Sequence, residues 1–277
     1  MPRTEKFSVL MSLYEKENPL FLDMSLESVF SQTVLPNQVV LVLDGPIGSA
    51  LAEVVNKYKE LYPYLEVYPL EKNKGLSTAL NTGLQVCRNE IVFRMDTDDI
   101  CYPHRFERTL KEYNLQPDLE IVGAFATMIS ESGEEIKQMR VPTSEKDIYK
   151  EVWTCPFIHP TVSFKKSSII NVGSYNPNSG PRQDDYELWF RCVENRLKCK
   201  NIDEPLVYYR FFNNSIDKNS IIVGWYRAKV GIRGSFLCKC PMIAYVGVFY
   251  PLIRACMPPF LRRMMYRVAD RINPRTR

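Results

Sequence analysis

Apolar residues follow two alternating rhythms along the first hundred positions. "FSVLMSL" (7–13) and "QVVLVL" (38–43) are short, almost wholly apolar runs, as expected of strands buried on both faces. Between them Leu22, Leu26, Val29 and Phe30 recur at helical spacing from Pro19 to Gln32, which predicts a helix with one buried stripe. The second run stops at Asp44-Gly45-Pro46, strong turn chemistry. A helix over about 49–61, a strand at "LEVYPL", a helix over about 76–87 and a strand at "EIVFRM" follow. Strand and helix alternating in this way predict a parallel sheet with helices on both faces. Ligands of such sheets bind beyond the carboxyl ends of the strands. Three polar stretches, "SLYE", "DGP" and "DTDD", leave strand ends there and are expected to converge on one crevice.

The last of these carries the first chemical signal. Asp96, Asp98 and Asp99 fall within four positions, and acids that close repel one another without a counterion. In an extended loop they offer oxygen ligands to a hard divalent cation, Mn²⁺ or Mg²⁺, which commonly shares its shell with substrate phosphates. Capping of a helix that starts near Pro103 is the plainer alternative. One acid suffices for capping; three exceed it.

Composition narrows the class. The chain of 277 residues is 45% hydrophobic and 25% charged, enough for one substantial domain plus an appendage. Eight cysteines without a C-x-x-C pair, and two histidines, argue against a zinc site and suit a reducing cytoplasm. The N-terminal stretch turns polar and acidic too soon for a signal peptide. From Arg254 to Arg277, seven arginines face one acid, Asp270, so this stretch outweighs the whole net charge of +4 and leaves the rest of the chain slightly acidic. The uncharged run "PMIAYVGVFYPLI" before it is shorter than the ~20 residues of a membrane-spanning helix. An apolar segment followed by a basic one reads as an anchor on an anionic membrane surface, with a core helix followed by a solvated tail as the plainer alternative. No nucleic-acid partner is expected, because the basic residues are not interleaved with a recognisable binding motif.

Taken together, "SVLMSLYE", "SVFSQT", "VVLVLDG", "NKGLSTALNTGL" and "FRMDTDD" resemble, in order and spacing, the inverting family 2 glycosyltransferases. The resemblance runs from about Phe7 to Arg210. It implies a GT-A type, Rossmann-like, mostly parallel α/β sheet flanked by helices, spanning about 1–215 with a donor half (1–100) and an acceptor half (101–215). Residues 216–277 are then a helical, basic, membrane-associating region. The resemblance also implies a UDP-sugar donor and a lipid-linked sugar acceptor, at the cytoplasmic face of the plasma membrane.

By the same resemblance Asp96 and Asp98 form the D-x-D that holds the metal and the donor diphosphate, with Asp99 able to share the metal. Ser12, Tyr14 and Asp44 lie around the base, where a Tyr face can stack on uracil and a carboxylate can accept its imide N–H; a turn residue alone is the alternative for Asp44. Leu43 stands where many relatives have a second acid, so that pairing is halved. Asn73 and Gly75 belong to the donor side; Ala79, Asn81 and Gly83 are mostly structural.

The second half supplies acceptor and base. "GPRQDDYELWFRCVENR" opens an amphipathic helix at Asp184 and Asp185, with Leu188, Trp189, Cys192 and Val193 on its buried side. Resemblance to the family's acidic pair makes Asp185 the general base and gives Asp184 the positioning of the acceptor. His159 in "PFIHPTVSF" joins the acceptor side on the same grounds. "LVYYRFFNNS" resembles the family's Y-R-x-H, with Phe212 in place of the histidine, and leaves Arg210 either to the diphosphate or to a carboxylate. A nucleotidyltransferase is disfavoured, since "SLYEKENPLF" lacks a glycine-rich loop. A non-catalytic scaffold on the same fold would have no need of both acid clusters.

Overall fold

The computed structural model describes residues 5–212 and 220–258. The first half is built from β1 (Phe7–Leu13), α1 (Pro19–Phe30), β2 (Gln38–Leu43), α2 (Ser49–Leu61), β3 (Leu65–Pro69), α3 (Leu76–Val86) and β4 (Ile91–Arg94). The strands lie in the order β3-β2-β1-β4, all parallel. Local signals set the helices. Asn18 caps α1 by accepting the Leu20 N–H, and Pro19 at the first helical position loses no needed donor. Leu22, Leu26, Val29 and Phe30 are all buried beneath it.

The second half continues the sheet with mixed direction. It comprises β5 (Ile100–Cys101), α4 (Arg105–Leu115), β6 (Ile121–Ile129), β7 (Glu135–Met139), α5 (Glu145–Lys150), β8 (Ser163–Lys165), α6 (Lys166–Asn171), α7 (Asp184–Glu194) and β9 (Cys199–Arg210). β8 runs antiparallel between β4 and β6, β9 runs parallel to β6, and β5 closes the edge against β9. Pro205 is accommodated in β9 where the register slips, between Ile202 opposite Ala124 and Val207 opposite Ala126. Glu204, beside it, meets His104 and Arg108.

β1 divides two cores by simple alternation. Phe7, Val9, Met11 and Leu13 face α1, α2 and α4; Leu10 faces α3 and the buried side of α7. On the first side Phe7, Phe93 and Phe106 meet with centroids 4.8–5.0 Å apart, each such pair adding roughly 0.5–1.5 kcal/mol to what burial gives. On the second side α3 lies very close. A Cβ added to Gly83 would be 2.3 Å from Leu10 Cδ1 and 2.9 Å from Val42 Cγ2.

Three helices follow the sheet: α8 (Ile221–Leu237), α9 (Met242–Gly247) and α10 (Tyr250–Cys256). They fold back on the acceptor half. Gly234 lies against the Phe190 ring, Gly247 against Trp153, and Gly224 receives the Leu252 backbone. The arginine-rich stretch, apart from Arg254, lies outside the described residues. Among the described residues no helix is long and apolar enough to cross a membrane.

Candidate active site

Strand register brings the expected crevice together. Leu13 lies opposite Leu43, and Leu10 opposite Arg94, so β1, β2 and β4 end side by side. The Asp44 N–H reaches Leu13 O at 2.7 Å, which puts Ser12, Tyr14 and Asp44 at neighbouring strand ends. Tyr14 is 38% exposed. Partial burial, then the charges of Glu17 and Asp98, raise its phenol pKa.

Asp44 is buried, and its two oxygens accept the backbone N–H groups of Lys74 (2.7 Å) and Gly75 (3.0 Å). It therefore ties the turn after β2 to the loop that precedes α3. Gly45 belongs to the same joint, since a Cβ there would lie 2.6 Å from Asn73 N. Gly75 has φ +85° with open space where a Cβ would go, so backbone conformation rather than crowding selects glycine. Asn73 is exposed on this loop. The carboxylate assigned from resemblance to a nucleotide base thus has the donor-side loop as its first partner.

The acidic loop is clamped from below. Arg94, the last residue of β4 and 1% exposed, pairs with Asp96. Burial opposes the charge on Arg94, but Asp96, Tyr175 and Asp99 together outweigh it and the guanidinium's pKa ends above its ordinary value. Arg210 Nε donates to Asp98 O at 3.0 Å, and its Nη1 donates to the carbonyls of Ser130 and Glu131. Its guanidinium stacks 4.2 Å over Phe21. Neither role expected for Arg210 is what its contacts display: among the described residues its guanidinium meets backbone carbonyls rather than a carboxylate, and it serves as a scaffold for the D-x-D loop. The capping alternative for these acids falls away, because α4 starts at Arg105 behind His104, without a side-chain cap.

Oxygen atoms of Asp96, Asp98 and Asp99 lie within 4.8 Å of one another. Among the described residues neither Asp98 nor Asp99 has an ion-pair partner, and Asp99 Oδ2 is buried with no hydrogen bond. Burial and then the Asp96 charge push Asp98 up to about 6; burial and the neighbouring acids lift Asp99 well above the carboxylate range. A crowded, all-oxygen set in which, among the described residues, only Asp96 has an ion-pair partner fits a hard divalent cation.

A cleft of about 810 Å³ opens beside this loop. Gly75, Asp96, His159, Asp184 and Asp185 all line it. Ser12, Tyr14, Asp44 and Asn73 stay on the β1–β2 side. Asp184 and Asp185 are the first two residues of α7. Asp184 accepts from Ser77 Oγ in α3, which ties the acceptor half to the donor half, and burial raises its pKa. Asp185 Oδ1 accepts its neighbour's N–H at Tyr186 (2.8 Å), while Oδ2 faces the Cys155 thiol at 3.6 Å on the cleft wall. His159 sits in a 3₁₀ turn before β8, its Nε2 2.9 Å from Tyr175 Oη. Burial, reinforced by Arg94, pulls its pKa well below the ordinary histidine value, so the ring is neutral and serves as a hydrogen-bonding partner.

Sequence reasoning missed Ser77, Tyr175, Arg94 and two further cleft arginines, Arg182 and Arg227. Asn81, read as structural, grips the Tyr175 backbone at both N and O. Arg182 had a weak local signal, three residues before Asp185. Arg227 had none, because α8 reaches the cleft only through tertiary packing.

A family model for "Glycosyl transferase family 2" matches residues 8–173. The chain belongs to glycosyl transferase family 2. This family 2 chain is 35% identical to the amylovoran biosynthesis glycosyltransferase AmsE of Erwinia amylovora, over 94% of its length and 97% of the relative's. It is 36% identical to a UDP-Gal:alpha-D-GlcNAc-diphosphoundecaprenol beta-1,3-galactosyltransferase of Escherichia coli, over 75% of each chain. It is similar in fold to S. aureus TarS 1–349 in complex with UDP-GlcNAc (TM-score 0.66, 15% identity), covering 97% of this chain and 76% of that one. The mannosyltransferase PcManGT of Pyrobaculum calidifontis, in complex with GDP-Man and Mn²⁺, shares the fold at TM-score 0.62 and 13% identity, over 99% of this chain and 82% of that one. The GT-A type fold and glycosyltransferase activity expected from the sequence both hold for this chain.

Proposed function

We propose that this family 2 glycosyltransferase moves a hexose, glucose or galactose, from a UDP-sugar to a sugar carried on a polyprenyl diphosphate. Inversion at the anomeric carbon gives a β linkage, taken here as β-1,3, in building O-antigen, capsule or a related polysaccharide. The observation that carries the reading is that Asp96 and Asp185 line the same cleft. The names of the relatives from Erwinia amylovora and Escherichia coli support the pathway and the acceptor class.

Asp185 Oδ2, the oxygen not spent on Tyr186 N–H, takes the proton of the acceptor hydroxyl. That hydroxyl oxygen forms the new bond to C1 as the bond from C1 to the diphosphate oxygen breaks, and its electron pair leaves with UDP. A transition state of oxocarbenium character is expected, as in glycoside hydrolysis. Asp184, anchored by Ser77, and neutral His159 orient the acceptor. Asp96, Asp98 and Asp99 would hold Mn²⁺ or Mg²⁺, which supplies charge stabilisation for the departing diphosphate. Tyr14, Ser12 and Asp44 lie where the base would sit, with Asn73 and Gly75 on the donor-side loop.

Docking on an anionic membrane surface, at the cytoplasmic face, belongs to the same reading. Trp225, Phe236, Met242, Ile243 and Val246 are 59–81% exposed on the C-terminal helices, with Lys229, Arg233 and Lys239 exposed among them. Large apolar side chains amid cations are the composition that such a surface takes.

The test is transfer by purified protein from a panel of labelled UDP-sugars to a sugar-diphosphate-lipid, with Mn²⁺ or Mg²⁺, beside Asp98→Ala and Asp185→Ala. Metal-dependent transfer, lost in both variants, is the expected result. No turnover of any UDP-sugar by folded protein would overturn the donor assignment.

A further inference from the structure

We infer that Arg182 and Arg227 hold the diphosphate of the acceptor, and that α8 is thereby part of the acceptor site. The inference rests on the lipid-diphosphate reading above and names the residues that would recognise that group.

Three arginines line the cleft. Arg94 is buried and committed to Asp96. Arg182 and Arg227 form no ion pair among the described residues, although Asp184 and Asp185 line the same cleft. Guanidinium groups facing a cleft without a carboxylate partner suit phosphate oxygens, which they can bind with paired N–H donors.

Their placement brackets the base. Arg182 stands three residues before Asp185, with its backbone in the left-handed region at φ 60°. Arg227 lies 4.0 Å over the ring of Tyr186, the residue after Asp185, so its planar head is already oriented. The two are locked to each other through their neighbours. Gly180 packs against the Tyr226 ring so closely that a Cβ there would be 2.1 Å from Tyr226 Cδ1. A donor diphosphate would have its own charge partner in the cation that Asp96, Asp98 and Asp99 would hold. A second diphosphate, attached to the sugar whose hydroxyl reaches Asp185, is what this second pair of charges fits. Trp225 lies almost opposite Arg227 around α8 and is 59% exposed, on the side of the helix turned away from the cleft.

The experiment uses the full-length chain with Mn²⁺ and a UDP-sugar. It compares an alkyl-diphosphate-linked sugar acceptor with the same sugar on an alkyl chain lacking phosphate. For Arg182→Ala and Arg227→Ala, KM for the diphosphate acceptor should rise about tenfold or more, the factor of a lost charge-assisted hydrogen bond. KM for the donor and for the phosphate-free acceptor should stay near wild type, and Arg227→Lys should recover part of the loss. An equal rise in donor KM would make the donor diphosphate the ligand and overturn the inference. Equal losses with both acceptors would reduce the arginines to structural parts and overturn it as well. Unaltered variants beside an active wild type would sink the inference alone. A wild type that uses only the phosphate-free acceptor would sink the acceptor reading and this inference with it.

Discussion

Asp99 Oδ1 accepts the backbone N–H of Arg210 at 2.8 Å, joining the acidic loop after β4 to the end of β9. The bond holds Asp99 Oδ1 and leaves Oδ2 buried and unpartnered among the acids. Asp99→Asn keeps an acceptor for Arg210 N–H but removes the charge. Mn²⁺ affinity is expected to fall at least about tenfold, with the metal-free melting midpoint unchanged or raised. Asp99→Leu, which strands that N–H, should cost roughly 1–3 kcal/mol as well. Calorimetric titration and thermal melts check both. Equal metal affinity in Asp99→Asn and wild type would remove Asp99 from the ligand set.

Protonation should trade with metal at this loop. Burial, then the Asp96 charge, raises the pKa of Asp98 to about 6, and burial with the neighbouring acids raises that of Asp99 too, so the fold favours their protonated forms. The contribution of Asp98 is fully present below the ordinary carboxylate pKa and is lost as pH rises through about 6. Metal-free protein should therefore gain stability, relative to Asp98→Asn, as pH falls from about 7.5 to about 5. Mn²⁺ should raise the melting midpoint more at the higher pH. A wild-type-to-variant difference that ignores pH would contradict this.

The two acids of α7 should separate kinetically. Asp185→Asn is expected to lower kcat by about 10²–10⁴ with donor KM little changed. Asp184→Asn keeps an acceptor for Ser77 Oγ and should act mainly on acceptor KM. Steady-state rates with each substrate varied distinguish them. The reverse pattern would exchange their roles.

Gly83 gives a test of packing away from the chemistry. Gly83→Ala places a methyl 2.3 Å from Leu10 Cδ1. Overpacking of this kind should cost roughly 1–3 kcal/mol, despite the better helix propensity of alanine. Urea denaturation measures it. A stabilised variant would mean that α3 can lift off the sheet at no cost.

Vesicle binding probes the C-terminal helices. Trp225 fluorescence should shift to the blue with anionic vesicles and not with zwitterionic ones. Trp225→Ser with Phe236→Ser should weaken co-sedimentation several-fold. Binding indifferent to lipid charge would leave the exposed cations without that role.

The donor half was legible because its signals are local. Buried strands such as Val39–Val42, the helical stripe under Leu22 and Leu26, and the turn at Asp44 each announce themselves within a few residues. The acid clusters were legible for the same reason: like charges crowded in sequence remain crowded in space. Asp44 was harder. Its partners, Lys74 and Gly75, lie thirty residues away, and nothing local distinguishes a carboxylate waiting for a ligand from one already holding a loop. Arg227 was beyond reach, because its place over Tyr186 depends on how α8 docks on α7.

The seating of Tyr226 on Gly180 has a mechanical consequence. The helix that turns Trp225 outward is packed closely against the loop that leads to Asp185, which ties the position of the outer face to that of the reacting centre. A protein lying on a surface through that face carries its base at one set height above it. On the proposed membrane docking, reach would then become a criterion of selection: a hydroxyl one sugar farther from its anchor would pass above Asp185, and one sugar nearer would stop short. The length of the growing chain would be gauged by the body of the enzyme before any contact with the sugar itself is made.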